Sequence, residues 1–361
     1  MPHLDWLAQA YGVPLGLAGF AVSCVMLPGA LAGFSFGAFA DRFGAKRVAI
    51  AGLIVAAAAS VAGGFANSFW VLVVLRIGEG FGYTLLVVAA TVIVAGVLPG
   101  RSAFALSVWS SFAPIGFALS QWAGAFAADG SPLMRIGAVH AMVLVAAALA
   151  LQLSIRNEIQ KKPASSSWDV VRHAPALRTA FAFGATCAVL LAAVALAPVV
   201  LASRTELSVA HIASLTALAA LPGILGRIAP GWLLGRGITP LMVFVSASVV
   251  AAVSIAGALA APLWPALALF AVFQIAAGAL PGVLSAMIPH VAPAPERLGS
   301  VSGICTQMVN VGNLLGPPLA LAIYAAAGTG AAIGLLVLLL AASVLAIAGL
   351  NVFRRSLGEA A

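Results

Sequence analysis

Long apolar blocks, each about as long as a helix needs to cross the hydrocarbon core of a bilayer, dominate this sequence. Short breaks that contain charged residues, proline or glycine separate the blocks. The chain is 63% hydrophobic and only 7% charged, whereas a soluble domain is about 25% charged. A water-soluble fold cannot bury that much apolar surface, so the sequence predicts an all-α polytopic membrane protein.

The apolar blocks predict about eleven transmembrane helices, five before a polar gap and six after it. Each block is long enough to cross the hydrocarbon core once. The predicted helices cover residues 14–40, 48–66, 69–98, 103–127, 136–155, 179–202, 209–234, 241–261, 263–289, 299–325 and 330–353.

The polar gap at residues 156–178 contains Lys161, Lys162 and a run of serines, which is typical of a flexible linker. We predict that this segment is a cytoplasmic linker between two domains. Residues 1–155 would form an N-terminal bundle of five helices, and residues 179–361 a C-terminal bundle of six.

Basic residues fall at alternate helix ends. If the loop with Arg42, Lys46 and Arg47 is cytoplasmic, thirteen of the seventeen Lys and Arg residues lie on that side, as the positive-inside rule requires. We therefore expect a multi-pass protein of the cell (inner, cytoplasmic) membrane with a cytoplasmic C-terminus. No basic stripe interleaved with aromatic residues is present, so we expect no nucleic-acid partner despite the net charge of +8.

The two halves of the chain resemble each other, as the halves of duplicated transporter folds do. By this alignment the first predicted helix corresponds to the second helix of the later half, so the early half lacks a first helix. Residues Leu27, Pro28, Gly29, Leu31, Gly37 and Arg42 recur, at an offset of 194, as Leu221, Pro222, Gly223, Leu225, Gly231 and Arg236, and Pro99 and Arg101 recur, at an offset of 196, as Pro295 and Arg297.

Residues 37–47 resemble the signature loop between the second and third helices of the major facilitator superfamily. The resemblance implies a fold of two pseudo-symmetric helical bundles, and a loop that locks and releases them during alternating access. In this loop Gly37 allows close helix packing, while Asp41 can pair with basic groups or cap a neighbouring helix N-terminus. The residues that match the gating motif are Gly37, Asp41, Arg42, Gly44, Lys46 and Arg47.

Two further segments resemble the same family. Residues 76–82 resemble its fourth-helix pattern of an arginine followed by spaced glycines, and residues 312–318 resemble the glycine-proline kink of its eleventh helix. Phe117 and Ala118 stand where the fifth-helix antiporter motif has glycines, which argues against drug/proton exchange. The resemblance runs from the family's second helix to its twelfth, and we expect an upstream start that supplies the first.

Three charged residues fall inside predicted helices, where charge is costly and usually functional. Arg76 and Glu79 are three residues apart and can form an ion pair, which either holds the helix or couples transport to protons. Arg227 has no acidic residue within two turns. Its guanidinium suits carboxylate-like anions, although a place near the outer water or a partner on another helix is the alternative.

Other polar residues could complete a cavity, although most are expected to be hydrogen-bond partners between helices. Gln274 aligns with Arg76 in the repeat, whereas His140 is expected to be an interface residue rather than a proton relay. The three cysteines lie in apolar blocks and are interpreted as small buried hydrophobes. The remaining polar and aromatic candidates are Tyr83, Trp109, Gln121, Gln307, Asn310 and Asn313.

The sequence thus predicts a secondary active transporter of a small solute, with protons as a candidate coupling ion. Arg76 and Arg227 outnumber Glu79, which favours a small organic or inorganic anion as substrate. Proton-coupled efflux of amphipathic drugs or metabolites is one alternative, and a non-transporting scaffold or truncated transporter is another. No convergent catalytic or metal-binding cluster is evident, so we expect a monomer in the lipid bilayer that is not an enzyme and has no cofactor.

Overall fold

The computed structural model describes residues 4–116, 132–154 and 167–355. Their regular secondary structure is helical throughout, and nine of their segments are long and apolar enough to cross a membrane, which confirms the predicted fold class. The α-helices are α1 Leu4–Tyr11, α2 Leu15–Ser23, α3 Leu27–Phe43, α4 Ala45–Gly63, α5 Phe69–Val97, α6 Ser102–Trp109, α7 Pro132–Ser154, α8 Ala174–Ala202, α9 Val209–Ala220, α10 Gly223–Gly235, α11 Pro240–Ala260, α12 Leu263–Val291, α13 Leu298–Ala348 and α14 Asn351–Arg354.

Several helix limits differ from the predicted ones for local reasons. The predicted helices 299–325 and 330–353 follow each other directly within α13, whose backbone leaves helical geometry between them at Gly328, with φ of 78°, and α14 follows. Helix α8 begins at Ala174, five residues before its predicted start, because Pro175 suits the first turn of a helix. The second part of the predicted helix 103–127 lies outside the described residues.

The sequence repeat produces the same helix breaks twice. Pro28 lies in the first turn of α3, after a 3₁₀ turn at Cys24–Met26, and its repeat mate Pro222 precedes α10. Proline lacks the backbone N–H that would continue the preceding helix, so each apolar block divides at this residue. Likewise α5 and α12 each have 29 residues, and 3₁₀ turns at Pro99–Arg101 and Pro295–Arg297 follow them.

Close contacts divide the chain into two compact units. Unit 1 comprises Met1–Ile93, Gly116–Asp169 and Ala294–Asn310, and unit 2 comprises Val94–Ile115, Val170–Pro293 and Val311–Ala361. The beginning of α13 therefore packs with the helices of the early half, and α6 packs with those of the later half. The bundle limits of 1–155 and 179–361, and the linker at 156–178, stay a prediction.

Small residues bring the helices of each unit close together, as in other membrane proteins. In unit 1 a Cβ atom on Gly52 of α4 would lie 2.6 Å from the carbonyl oxygen of Gly82 of α5. In unit 2 α12 packs against α8, α10 and α11, and its Phe270, Phe273 and Leu280 side chains are almost fully buried. Close packing of this kind fixes how the helices lie against each other within each unit.

We expect Gly52→Ala to destabilise the protein by about 1–3 kcal/mol, because the added methyl group must displace backbone atoms of α5. The thermal unfolding midpoint of the purified protein in detergent measures the effect. Gly96→Ala in α5 is the matched control, since no atom lies within 4 Å of its added Cβ and alanine favours a helix. Equal midpoints for the two variants would contradict the close contact.

Candidate functional site

A buried charge cluster lies in unit 1 where α4, α5 and α7 meet. Arg76 and Glu79 form the predicted ion pair, and Arg76 Nε also donates a hydrogen bond to the Ala21 carbonyl, 3.3 Å away. The Glu79 side chain is only 9% exposed. A carboxylate so deeply placed needs a charged partner, and the i,i+3 spacing on α5 supplies it.

The cluster includes His140 of α7, which the sequence analysis treated as an interface residue. His140 Nδ1 lies 3.0 Å from Ser60 Oγ of α4 and 4.0 Å from Glu79 Oε1. Its side chain is 49% exposed. No spacing in the sequence links residues 60, 79 and 140, so only the packing of three helices shows that they meet.

The other polar candidates divide between the units. Tyr83 lies one turn after Glu79 on α5, and buried Asn310 donates a hydrogen bond to the Thr306 carbonyl in the same unit. Gln274 of α12 lies in unit 2, buried against Gly223 of α10. The structure thus places Arg76, Glu79, Tyr83 and Asn310 in unit 1, and Arg227 and Gln274 in unit 2.

Arg227 lies half-buried on α10 of unit 2, and its guanidinium Nη1 donates a hydrogen bond to the Ser110 carbonyl, 2.8 Å away. Ser107 of α6 holds the arginine's own backbone. Its hydroxyl donates to the Arg227 carbonyl at 2.9 Å and accepts from the Gly231 amide at 3.0 Å. The fully buried hydroxyl therefore bridges the carbonyl of residue 227 and the amide of residue 231, which lie one turn apart on α10.

The gating-motif residues lie at the junction of α3, α4 and the beginning of α13 in unit 1. Asp41 is buried and accepts hydrogen bonds from the Gly299 and Ser300 amides, at 2.7 and 2.8 Å, and from the Ser300 hydroxyl. The carboxylate therefore caps the N-terminus of α13, where free amides and the helix dipole favour negative charge. Gly37 lies directly against Gly299, so a side chain there would meet the α13 backbone.

The other motif residues shape the α3–α4 turn. Gly44 has a φ of 95° and ends α3, which lets α4 begin at the next residue. Lys46 Nζ donates to the Gln152 carbonyl of α7 at 3.0 Å, while Arg42 lies 5.3 Å from the Phe43 ring centroid. Arg47 is exposed.

Two residues of the segment predicted to be a linker lie at the same end of unit 1. Arg297, buried just before α13, forms an ion pair with Asp169 at 3.1 Å, and Trp168 packs on Phe34 with ring centroids 5.7 Å apart. Asp169 and Trp168 thus contact the start of α13 and α3, respectively. Gln307 of α13 accepts a hydrogen bond from the Phe34 amide of α3, which agrees with the general expectation that such polar residues bond between helices.

Comparisons with known proteins agree with this architecture. The family model described as Major Facilitator Superfamily matches residues 1–257. No curated protein matches the chain.

Solved transporter structures share the fold at low sequence identity. The human organic anion transporter MFSD10 (TETRAN) is 17% identical, with a TM-score of 0.78 over 96% of this chain and 88% of that chain. The E. coli fucose:proton symporter FucP is 16% identical, with a TM-score of 0.75 over 94% and 91%. A bacterial homologue of the iron transporter ferroportin is 14% identical, with a TM-score of 0.76 over 95% and 92%.

We expect Asp41→Asn to speed hydrogen exchange at the Gly299 and Ser300 amides by roughly tenfold or more, because an amide side chain offers one neutral acceptor for two donors. Hydrogen–deuterium exchange with mass spectrometry of the α13 N-terminal peptide measures this change. Glu296→Gln, an exposed carboxylate in the adjacent turn, is the matched control. Unchanged exchange in Asp41→Asn would contradict the capping role.

Proposed function

Because the chain belongs to the Major Facilitator Superfamily, a family of secondary transporters, we propose that it carries a small organic or inorganic anion across the membrane by alternating access. Arg227 is the proposed substrate contact. We also propose that the protein is a monomer in the cell membrane and that its C-terminus is cytoplasmic.

The observation that carries the proposal is the way unit 2 holds Arg227. Its helix lies in a predicted span from His211 to Gly235, so a permanent positive charge is placed within an apolar segment. Its Nη1 donates to the Ser110 carbonyl, 2.8 Å away, which helps to orient the guanidinium. A planar donor fork of this kind recognises carboxylate, phosphate and anions of similar shape.

The backbone around Arg227 is held on two sides. Ser107 bonds to its carbonyl from α6, and Gly282 of α12 packs so closely that a Cβ there would lie 2.6 Å from the same oxygen. Gly223, one turn before Arg227 on α10, lies against Gln274 of α12. These contacts fix the position of the backbone from which the guanidinium extends, which supports a binding role.

Arg76 supplies a second cation, and Glu79 is the carboxylate that pairs with it. Proton binding to such a carboxylate is a common way for secondary transporters to use a proton gradient. We place proton coupling at this pair and gating at the α3–α4 loop. There the cap on α13 is a contact that can be broken and reformed.

Uptake into proteoliposomes that contain the purified protein tests the anion proposal. A panel of labelled carboxylates, phosphate and sulfate is compared with organic cations and neutral sugars, with and without an inward proton gradient. We expect uptake of at least one anion, and Arg227→Gln should lower it by roughly tenfold to a hundredfold, as expected for loss of a charged hydrogen bond. Arg227→Lys should also lose most of the uptake, because it keeps the charge but not the fork.

Arg236→Gln is the matched control, since Arg236 follows α10 and lies 3.6 Å above the Trp232 ring instead of within the helix. This variant should transport like the parent protein. Transport of cations or amphipathic compounds alone would overturn the anion assignment. Unchanged anion uptake in Arg227→Gln would remove Arg227 from the site.

A further inference from the structure

We propose that Pro114 is a positioning residue for Arg227, because it leaves the Ser110 carbonyl without a helical hydrogen bond and this open carbonyl holds the guanidinium. The geometry of this inference lies within unit 2, and its consequence for transport rests on the proposed anion function. Pro114 acts through Ser110 and Arg227 and not by contact with the substrate.

The segment that contains Ser110 is a break in a helix. Helix α6 ends at Trp109, Ser110 and Ser111 form a turn, and helical backbone resumes at Phe112. In an unbroken helix the amide of residue 114 would donate to the carbonyl of residue 110. Residue 114 is proline, which has no N–H, and a proline ring crowds the carbonyl four residues earlier. The break and the open carbonyl therefore have the same cause.

The open carbonyl of Ser110 needs a donor from the protein. Ser110 is only 5% exposed, and a buried carbonyl without a donor is costly. Arg227 Nη1 supplies the donor, 2.8 Å away, and a charged donor forms a stronger hydrogen bond than a backbone amide does. The guanidinium thus replaces the amide that Pro114 lacks.

Arg227 is held at both ends of its side chain. The Ser107 hydroxyl bonds to its backbone carbonyl at 2.9 Å, and the Ser110 carbonyl accepts from its guanidinium. The Ser110 hydroxyl also donates to the Ser107 carbonyl at 2.7 Å, which connects the turn to α6. A long side chain held in this way has fewer rotamers before the substrate binds, so less entropy is lost on binding. Pro114 thereby prepares the guanidinium for an anion.

The corresponding place in the early half differs at both residues. At the offsets of the repeat, Asn310 of α13 is the mate of Pro114, and Gly33 of α3 is the mate of Arg227. Helix α13 continues through this point, and the Asn310 side chain donates to the Thr306 carbonyl at 2.8 Å. The matching carbonyl of unit 1 therefore has a donor on its own helix. The proline and the arginine occur together in unit 2, which supports a joint role.

A double-mutant cycle on the full chain, in lipid nanodiscs and without substrate, tests the link between residues 114 and 227. Pro114→Ala supplies the missing amide, so the Ser110 carbonyl no longer depends on Arg227. Arg227→Met keeps an unbranched side chain but has no donor. We expect Arg227→Met to lower the thermal unfolding midpoint by at least about 3 °C more in the parent than in the Pro114→Ala background, because only the parent has an open carbonyl.

Pro198→Ala is the matched control, because Pro198 is buried inside α8 of the same unit and its missing amide concerns the carbonyl of residue 194. Its effect on the midpoint should simply add to that of Arg227→Met. Should Pro114→Ala fail to fold, Pro114→Gly supplies the same amide for the cycle. Equal effects of Arg227→Met in the parent and in the amide-bearing background would overturn the proposal.

A backbone substitution separates the missing N–H of Pro114 from its ring. Lactic acid, the α-hydroxy analogue of alanine, is introduced at position 114 by nonsense suppression and has neither an N–H nor a ring. This variant should keep the parent's dependence on Arg227, whereas Pro114→Ala should lose it. A lactic acid variant that behaves like Pro114→Ala would contradict the role of the open carbonyl.

Transport kinetics distinguish positioning from a merely structural role. The probes are inorganic phosphate, sulfate and acetate in the proteoliposome assay. For a transported probe, Pro114→Ala should raise KM roughly three- to tenfold and leave the maximal rate within about twofold, because a guanidinium that is no longer held binds the anion less tightly. The lactic acid variant should restore the parent KM, and an unchanged KM in Pro114→Ala would count against the proposal.

The two proposals fail separately. If no anion of the panel is transported but the midpoints are non-additive, Pro114 positions Arg227 and anion transport is wrong. If an anion is transported and Arg227→Gln lowers its uptake while the midpoints are additive, Arg227 remains the substrate contact and the role of Pro114 is wrong.

Discussion

Hydrocarbon offers no partner for a polar group, so every backbone amide, carbonyl and charge inside the apolar helices must be satisfied by the protein itself. This constraint explains the polar contacts of both units. Asp41 accepts from two free amides at the start of α13, and the Ser107 hydroxyl bonds to the Arg227 carbonyl and the Gly231 amide of α10. Glu79 is held by Arg76 for the same reason. The proposed gating and proton-coupling positions are therefore charged residues, Asp41 and Glu79, that already have partners within the protein.

The sequence is informative where the signal is local or repeated. Apolar block lengths predicted most of the helices, and the spacing of Arg76 and Glu79 predicted their ion pair. The breaks near Pro28 and Pro222, in contrast, fall inside segments predicted as continuous helices. Contacts between distant segments were harder to predict, because the hydrophobic pattern of a single sequence does not show which helices pack against each other. The neighbours of His140 could therefore not be identified from the sequence, and Ser107 was not recognised at all. The Asp41 cap lies between these cases, since its motif indicated a helix N-terminus as one partner without identifying α13.

The internal repeat contains two corresponding helix crossings, one in each unit, whose residues differ. In unit 1 α3 crosses α13 through glycines, and a Cβ on Gly33 would lie 2.8 Å from the Gly303 carbonyl oxygen, while one on Gly303 would lie 2.9 Å from the Gly37 Cα. Backbones that meet this closely leave no room for a side chain, so α3 and α13 are held together here by direct backbone packing. Asp41 and Gln307 add polar contacts on either side of the glycines.

The matching crossing in unit 2 is between α10 and α6, and there the repeat mates differ. Arg227 occupies the position of Gly33 at the offset of 194, and Ser107 occupies the position of Gly303 at the offset of 196. Gly231, the mate of Gly37, is retained, and its amide binds the Ser107 hydroxyl. Where the early half has two glycines, the later half therefore has a cation and the hydroxyl that bonds to its backbone. A crossing that only packs needs neither group, and this difference between the halves supports the proposal that Arg227 contacts the substrate.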